Sequence, residues 1–194
     1  MIHNLFPTPI LIENIIDSLD GVATEKHIVL SKEFTEHGLV ENGVSTHGQS
    51  SVLDIKELEP LKKVILEKTN NLAKVMGLKK LEISESWCNI MNKDSVVHSH
   101  KHQLSVLSGA LYIKAGEEAG MFSISNPVYS NHMMYDYINR HTEYVTQTSN
   151  IPVTTGTLLI FPSWLEHGVL ENNFDSRTVL SFNTMYCGFN KTVT

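Results

Sequence analysis

The chain has 194 residues, 41% of them apolar and 19% charged, with a net charge of −6. That length suits one well-buried domain and makes two full domains a squeeze. Its 15 Lys and Arg are spread too thinly to track a phosphate backbone, and no apolar run approaches the roughly 20 residues of a membrane span, so neither nucleic acid nor a membrane is an expected partner. The start Met1-Ile2-His3-Asn4-Leu5-Phe6-Pro7 lacks the basic opening of a signal peptide, which makes the cytoplasm the expected location. Cys88 and Cys187 have no CxxC spacing and read as buried thiols.

Asn4 to Asn14 reads as a strand whose Pro7 and Pro9 suit a sheet edge. From about Asp20 to Glu36, Val22, Ile28, Val29, Leu30 and Phe34 form a loosely helical apolar face, with Gly38 as a stop. Gly43 to Ser51 has the composition of a loop, and His47 within it reads as a surface residue. The strongest helix runs from Glu59 to Met76. It has Pro60 in its first turn, Leu58, Leu61, Val64, Ile65, Leu72, Val75 and Met76 on one side, and Gly77 at its end, so it should pack against a sheet. Beyond it the period changes to two, and strands are expected at 81–92, 97–114, 119–125, 142–147, 157–161, 166–171 and 177–187. Many short strands after a helical start imply a mainly β, closed or double-sheet antiparallel domain spanning 1–194, in which residues 1–78 brace a β core of residues 80–190. The long irregular piece from Asn126 to Tyr144 contains Tyr129, Met133, Met134, Tyr135 and Tyr137, which suits a lid that packs on a ligand.

Chemistry concentrates in two places. In Val97-His98-Ser99-His100-Lys101-His102 three histidines alternate beside an apolar strand. Side chains at i and i+2 of an extended chain start about 6.6 Å apart on one face, so adjacent members of the set could share an ion while all three could not. Strand parity leaves the pair open between His98/His100 and His100/His102. Near the C-terminus, Phe161-Pro162-Ser163-Trp164-Leu165-Glu166-His167-Gly168 supplies a lone histidine, and Arg177 opens another strand ten positions later. Arg177, Val179, Ser181 and Asn183 share one face of that strand, too polar for a core unless it lines a pocket, and a buried guanidinium there calls for an anionic ligand.

The order His-x-His, a distant His and then Arg resembles that of iron(II) and 2-oxoglutarate dependent oxygenases. More narrowly, His100-Lys101-His102 with Ser105-Val106-Leu107-Ser108-Gly109-Ala110-Leu111-Tyr112, and Leu159 through Val169, resemble the two signature blocks of a largely uncharacterised 2-oxoglutarate-Fe(II) oxygenase family. Phe6-Pro7-Thr8-Pro9 and Trp87-Cys88-Asn89 match it too. The resemblance implies a double-stranded β-helix, or jelly roll, holding one iron(II) near its mouth. It implies His100, His102 and His167 on that iron, because His102 stands five residues before Leu107. It also implies Arg177 on the far carboxylate of 2-oxoglutarate, with Ser181, Asn89 and Tyr112 as further pocket residues. The implied reaction uses O2 and converts 2-oxoglutarate to succinate and carbon dioxide while a C–H bond of a small-molecule or peptide substrate is hydroxylated. The superfamily commonly has Asp where this chain has His102, which leaves either a three-His set or a carboxylate from elsewhere. Three His with an open position is also a zinc pattern. A cupin-like metal-dependent hydrolase or isomerase and a non-catalytic metal-binding β-sandwich are therefore the alternatives, and neither needs 2-oxoglutarate.

Overall fold

Strands in the middle of the chain are apolar on both faces, which requires cover on both sides. A computed structural model, which describes residue 3 and residues 5–116, 119–128, 142 and 144–188, shows what supplies that cover. In chain order the elements are β1 (Leu11–Asn14), α1 (Gly21–Ser31), β2 (Thr35–His37), β3 (Val40–Ser45), α2 (Glu59–Val75), β4 (Leu81–His100), β5 (Leu107–Lys114), β6 (Met121–Ser125), β7 (Thr148–Pro152), β8 (Thr157–Pro162), β9 (His167–Val169) and β10 (Ser176–Tyr186). Alternation along the strands sorts their side chains between two cores. Leu107, Leu111, Ile113, Leu158, Ile160, Leu180 and Phe182 pack with Ile28 of α1 and with Leu61, Ile65 and Leu72 of α2. Ala110, Tyr112, Leu159, Phe161 and Val179 point the other way, toward Phe122 and Ile124 of β6. The architecture is mainly β, a double-stranded β-helix with helices against one outer face.

All pairings are antiparallel, in the order β1-β8-β5-β10-β4-β9-β6-β7, with β3 also on β4 and β2 on β3. The curl comes from β4, which pairs with β10 as far as Asn92 and with β9 from Val97. At the corner Asp94 takes φ 65°, a left-handed conformation that Asp tolerates better than most side chains. Its N–H donates to the carbonyl of Asn172 at 2.7 Å, and the N–H of Asn172 donates to the carbonyl of Ser95 at 2.9 Å. The fully buried Asn172 amide donates to the carbonyls of Met91, Asn92 and Phe174.

Several boundaries differ from the sequence expectation. β1 is an edge strand, as its prolines suggest, but shorter. α1 stops at Ser31 because Thr35–His37 pairs with β3, and Gly38 lies in the turn between them. α2 ends at Val75 with Gly77 at φ 71° after it, although Val75, expected on the packed face, is 80% exposed. The strand expected over 97–114 is broken at residues 101–106, where Leu104 takes φ 59°. The strand expected at 142–147 lies at Thr148–Pro152, an outermost strand that is largely solvent-facing and so carries no apolar alternation to betray it. Cys88 is buried, and burial pushes its thiol pKa far up, whereas Cys187 is exposed rather than buried. Most of Asn126–Tyr144, the expected lid, lies outside the described residues. Among the described residues no helix is long and apolar enough to cross a membrane.

Asn172→Ala strands the buried carbonyls at the β4 corner. It is expected to lower stability by about 1–3 kcal/mol, read as a lower urea midpoint of the full-length protein at unchanged slope.

Candidate metal centre

β4 carries its last residue, His100, opposite His167 of β9, so two distant parts of the chain meet through ordinary strand pairing. The register slips between Val97 and His100, and His98 leaves the site: its exposed ring turns outward, with Nε2 3.4 Å from a carboxylate oxygen of Glu41. His102 arrives from the turn that follows, where its N–H donates to the carbonyl of Ser163 at 3.0 Å. The nitrogens of His100, His102 and His167 all lie within 4.8 Å of one another, and among the described residues no carboxylate joins them. Of the two pairs that strand parity allows, the fold brings together His100 and His102 and leaves His98 out.

Backbone carbonyls decide where two of the ring protons sit. Nδ1 of His100 lies 2.8 Å from the carbonyl of His98, and Nδ1 of His167 lies 2.8 Å from that of Leu165. A carbonyl only accepts, so both Nδ1 atoms carry the hydrogen and both Nε2 atoms present bare lone pairs. Burial lowers the pKa of His100, that of His102 to about 4 and that of His167 to about 3, with neighbouring imidazoles pushing the latter two further the same way. At neutral pH all three rings are therefore uncharged. Neutral and convergent, with His100 and His167 oriented through their second nitrogen, they have the chemistry of a divalent transition-metal site.

The rings open onto a cavity of about 350 Å³. Its wall runs from the buried Met91, Tyr112, Phe122 and Phe161 to the exposed Glu85 and Lys101. Trp87 lies between His102 (5.6 Å between ring centroids) and His47 (5.1 Å), and His47 in turn meets His37 at 4.8 Å. His47 is exposed as expected, yet it lines the cavity.

Of the face predicted on β10, Val179, Ser181 and Asn183 line the cavity. Arg177 does not line it but lies behind Met91 and Tyr112, fully buried. Its Nη1 donates to the carbonyl of Ala119, its Nη2 faces Met91 Sδ at 3.2 Å, and among the described residues its Nε has no partner. The Tyr112 hydroxyl and Asn89 Oδ1 are buried and unpartnered too. Burial pushes the Arg177 pKa below its usual value, but a guanidinium stays protonated in proteins. Among the described residues this buried cation has no counterion, which is very costly, so a carboxylate fits beside it, behind the Met91 and Tyr112 wall of the cavity.

Glu85, Trp87 and Met91 were not among the candidates from sequence, although period two links them to Asn89. The obstacle is an irregularity between Asn183 and Thr184, opposite Glu85 and Ile83, which reverses the parity of β4 at Ser84. Before it the odd positions Leu81 and Ile83 face the helices; after it Cys88 does, and Glu85, Trp87, Asn89 and Met91 face the cavity.

A family model described as "Putative 2OG-Fe(II) oxygenase" matches residues 85–183, just over half of the chain. Among solved structures, HygX from Streptomyces hygroscopicus with nickel and 2-oxoglutarate bound is similar at TM-score 0.63 and 14% identity, over 94% of this chain and 84% of that one. The carbocyclase SnoK from nogalamycin biosynthesis, described as non-heme and alpha-ketoglutarate dependent, is similar at TM-score 0.64 and 13% identity, over 92% and 80%. A Pseudomonas putida prolyl-4-hydroxylase is similar at TM-score 0.55 and 14% identity, over 91% and 92%. These likenesses are of fold. No curated protein matches the sequence.

The imidazole pKa values set a sign for the pH response. His102 and His167 titrate near 6.5 when unfolded and near 4 and 3 when folded, so below about pH 6.5 the unfolded chain binds more protons. The chelated protein should hold full stability above that pH and lose it progressively as pH falls toward 4. Thermal melts at pH 7.5, 5.5 and 4.5 check this, and His167→Asn should flatten the decline.

Proposed function

Since the chain belongs to the family described as "Putative 2OG-Fe(II) oxygenase", we propose that His100, His102 and His167 hold its iron and that Arg177, with Tyr112, Asn89 and Ser181, receives 2-oxoglutarate. The protein is a 2-oxoglutarate-dependent oxygenase that uses iron(II) and O2. The observation that carries the residue assignment is the pairing of three neutral, convergent imidazoles that line one cavity with a guanidinium buried behind its wall, which among the described residues lacks a counterion.

Bound together, iron(II) and 2-oxoglutarate supply the oxidative decarboxylation that yields succinate and carbon dioxide and oxidises a substrate C–H bond. The chain's own residues do the rest. His100 and His167 present Nε2 because their Nδ1 hydrogens are committed to backbone carbonyls. The Arg177 fork and the Tyr112 hydroxyl donate to the far carboxylate, each gaining the partner it lacks. Phe122, Phe161, Val169 and Val179 exclude water from the reacting end. The exposed end, with His47, Glu85 and Lys101, admits the primary substrate.

We read that substrate as a small molecule and the reaction as hydroxylation. In support, HygX has been solved with hygromycin B and the epimerase SnoN with nogalamycin RO, and the cavity lies in the size range of small-ligand sites. We also read the 194 residues as one domain acting in the cytoplasm.

Arg177→Leu separates this function from a zinc site without co-substrate. The variant should keep its metal, bind 2-oxoglutarate about tenfold to a hundredfold more weakly in anaerobic titrations of the visible iron band, and release no succinate. Arg177→Lys should fall between, keeping the charge but losing the fork. Equal 2-oxoglutarate affinity in wild type and Arg177→Leu would remove Arg177 from the site.

A further inference from the structure

His102 differs from the other two imidazoles in what its second nitrogen meets. Nε2 of His102 lies 3.3 Å from Nε2 of His167. The latter is bare, because the hydrogen of His167 is on Nδ1, so His102 must donate from Nε2 and its own Nδ1 must be bare. That fits what stands behind it, the side-chain nitrogen of Asn183 at 3.4 Å. The amide of Asn183 is oriented from its other contacts: its nitrogen donates to a carboxylate oxygen of Glu85 at 2.7 Å, and its oxygen accepts from the Ser108 hydroxyl at 2.6 Å. The result is one directed path of donors. Asn183 donates to Glu85 and to His102, His102 donates to His167, and His167 donates to the carbonyl of Leu165. In this arrangement the two Nε2 atoms that should face a metal are bonded to each other.

A metal ion between His102 and His167 needs both Nε2 lone pairs, so the hydrogen of His102 must leave Nε2 for solvent while Nδ1 takes one up. The ring stays neutral throughout. Nδ1–H then requires an acceptor where Asn183 had offered a donor. The amide oxygen is committed to Ser108, whereas Glu85, an exposed carboxylate, is already bonded to the nitrogen that faces His102.

Resting on the three-His metal assignment above, we propose that Asn183 and Glu85 are positioning residues that govern metal uptake. Asn183 holds His102 in the form that closes the site against His167. Glu85 accepts Nδ1–H of His102 once a metal binds, giving the site, one residue removed, the negative charge that His102 does not supply as a ligand.

Nitrogen NMR on protein with 15N-labelled histidine reads the hydrogen positions directly, and His102→Ala identifies the signal. Metal-free wild type should show His102 as Nε2–H, with His100 and His167 as Nδ1–H; with Zn(II) as the probe, all three should be Nδ1–H. Glu85→Gln alters an exposed side chain and should fold as wild type, yet bind Zn(II) and Co(II) about tenfold more weakly. His102 found as Nδ1–H in the metal-free protein, or wild-type metal affinity in Glu85→Gln, overturns the proposal while leaving the ligand set standing. Undiminished Zn(II) affinity in His102→Ala overturns the ligand set itself, and the proposal with it.

Discussion

The corner of β4 is the constraint on which the rest of the structure depends. A twenty-residue antiparallel strand would run past the domain unless something turned it, and between Asn92 and Val97 it gives up β10 and takes β9. Nothing apolar makes that turn. It is held by Asn172, which offers its main chain to Asp94 and Ser95 and its amide to Met91, Asn92 and Phe174. Buried carbonyls left over at a break in a ladder cost about 1–3 kcal/mol each when unpaired, so a single fully buried amide that collects them stabilises a bend the ladder alone would resist. Only because β4 bends does His100 come to lie opposite His167, 67 positions away in sequence, where one ion can touch both.

The site built at this corner combines two opposed electrostatic choices. Its imidazoles are kept neutral by burial and by one another, so no positive charge on the rings opposes a cation. Its guanidinium is buried where it cannot lose its charge, beside a tyrosine hydroxyl and behind a methionine. A ligand with a chelating end and a far carboxylate would answer both demands at once, as the proposed 2-oxoglutarate assignment requires. On the proposed assignment His102 stands where an acidic ligand is common, and the contacts of Asn183 with Glu85 and His102 bring a carboxylate next to the ligand set.

Much of this was legible from local pattern. α2 was visible from its 3.6-residue period, its proline and its glycine, because such signals depend on neighbours a few positions away. The polar face of β10 was visible for a similar reason: strand alternation put Val179, Ser181 and Asn183 on one side, and they line the cavity. Elsewhere the pattern misled. β7 is exposed and carries no alternation, and the irregularity at Ser84 reverses which side of β4 is odd, so Trp87 and Met91 could not be assigned to the cavity by counting from Leu81.

The sequence by itself determined the residue types and the class of the fold. It held three histidines and an arginine in a telling order, strands apolar on two faces, and one amphipathic helix to cover them. Residue type and short-range period are properties of the chain, present before it folds. Tertiary structure alone decided which histidines meet. His98 and His102 flank His100 at equal distance in sequence, and strand parity ranks them alike. The register slip after Val97 sends His98 out to Glu41, while the turn at Leu104 and the bond to Ser163 bring His102 back. Those events involve partners far away in sequence, Glu41 at 57 positions from His98 and Ser163 at 61 positions from His102, and no local window on the sequence contains them.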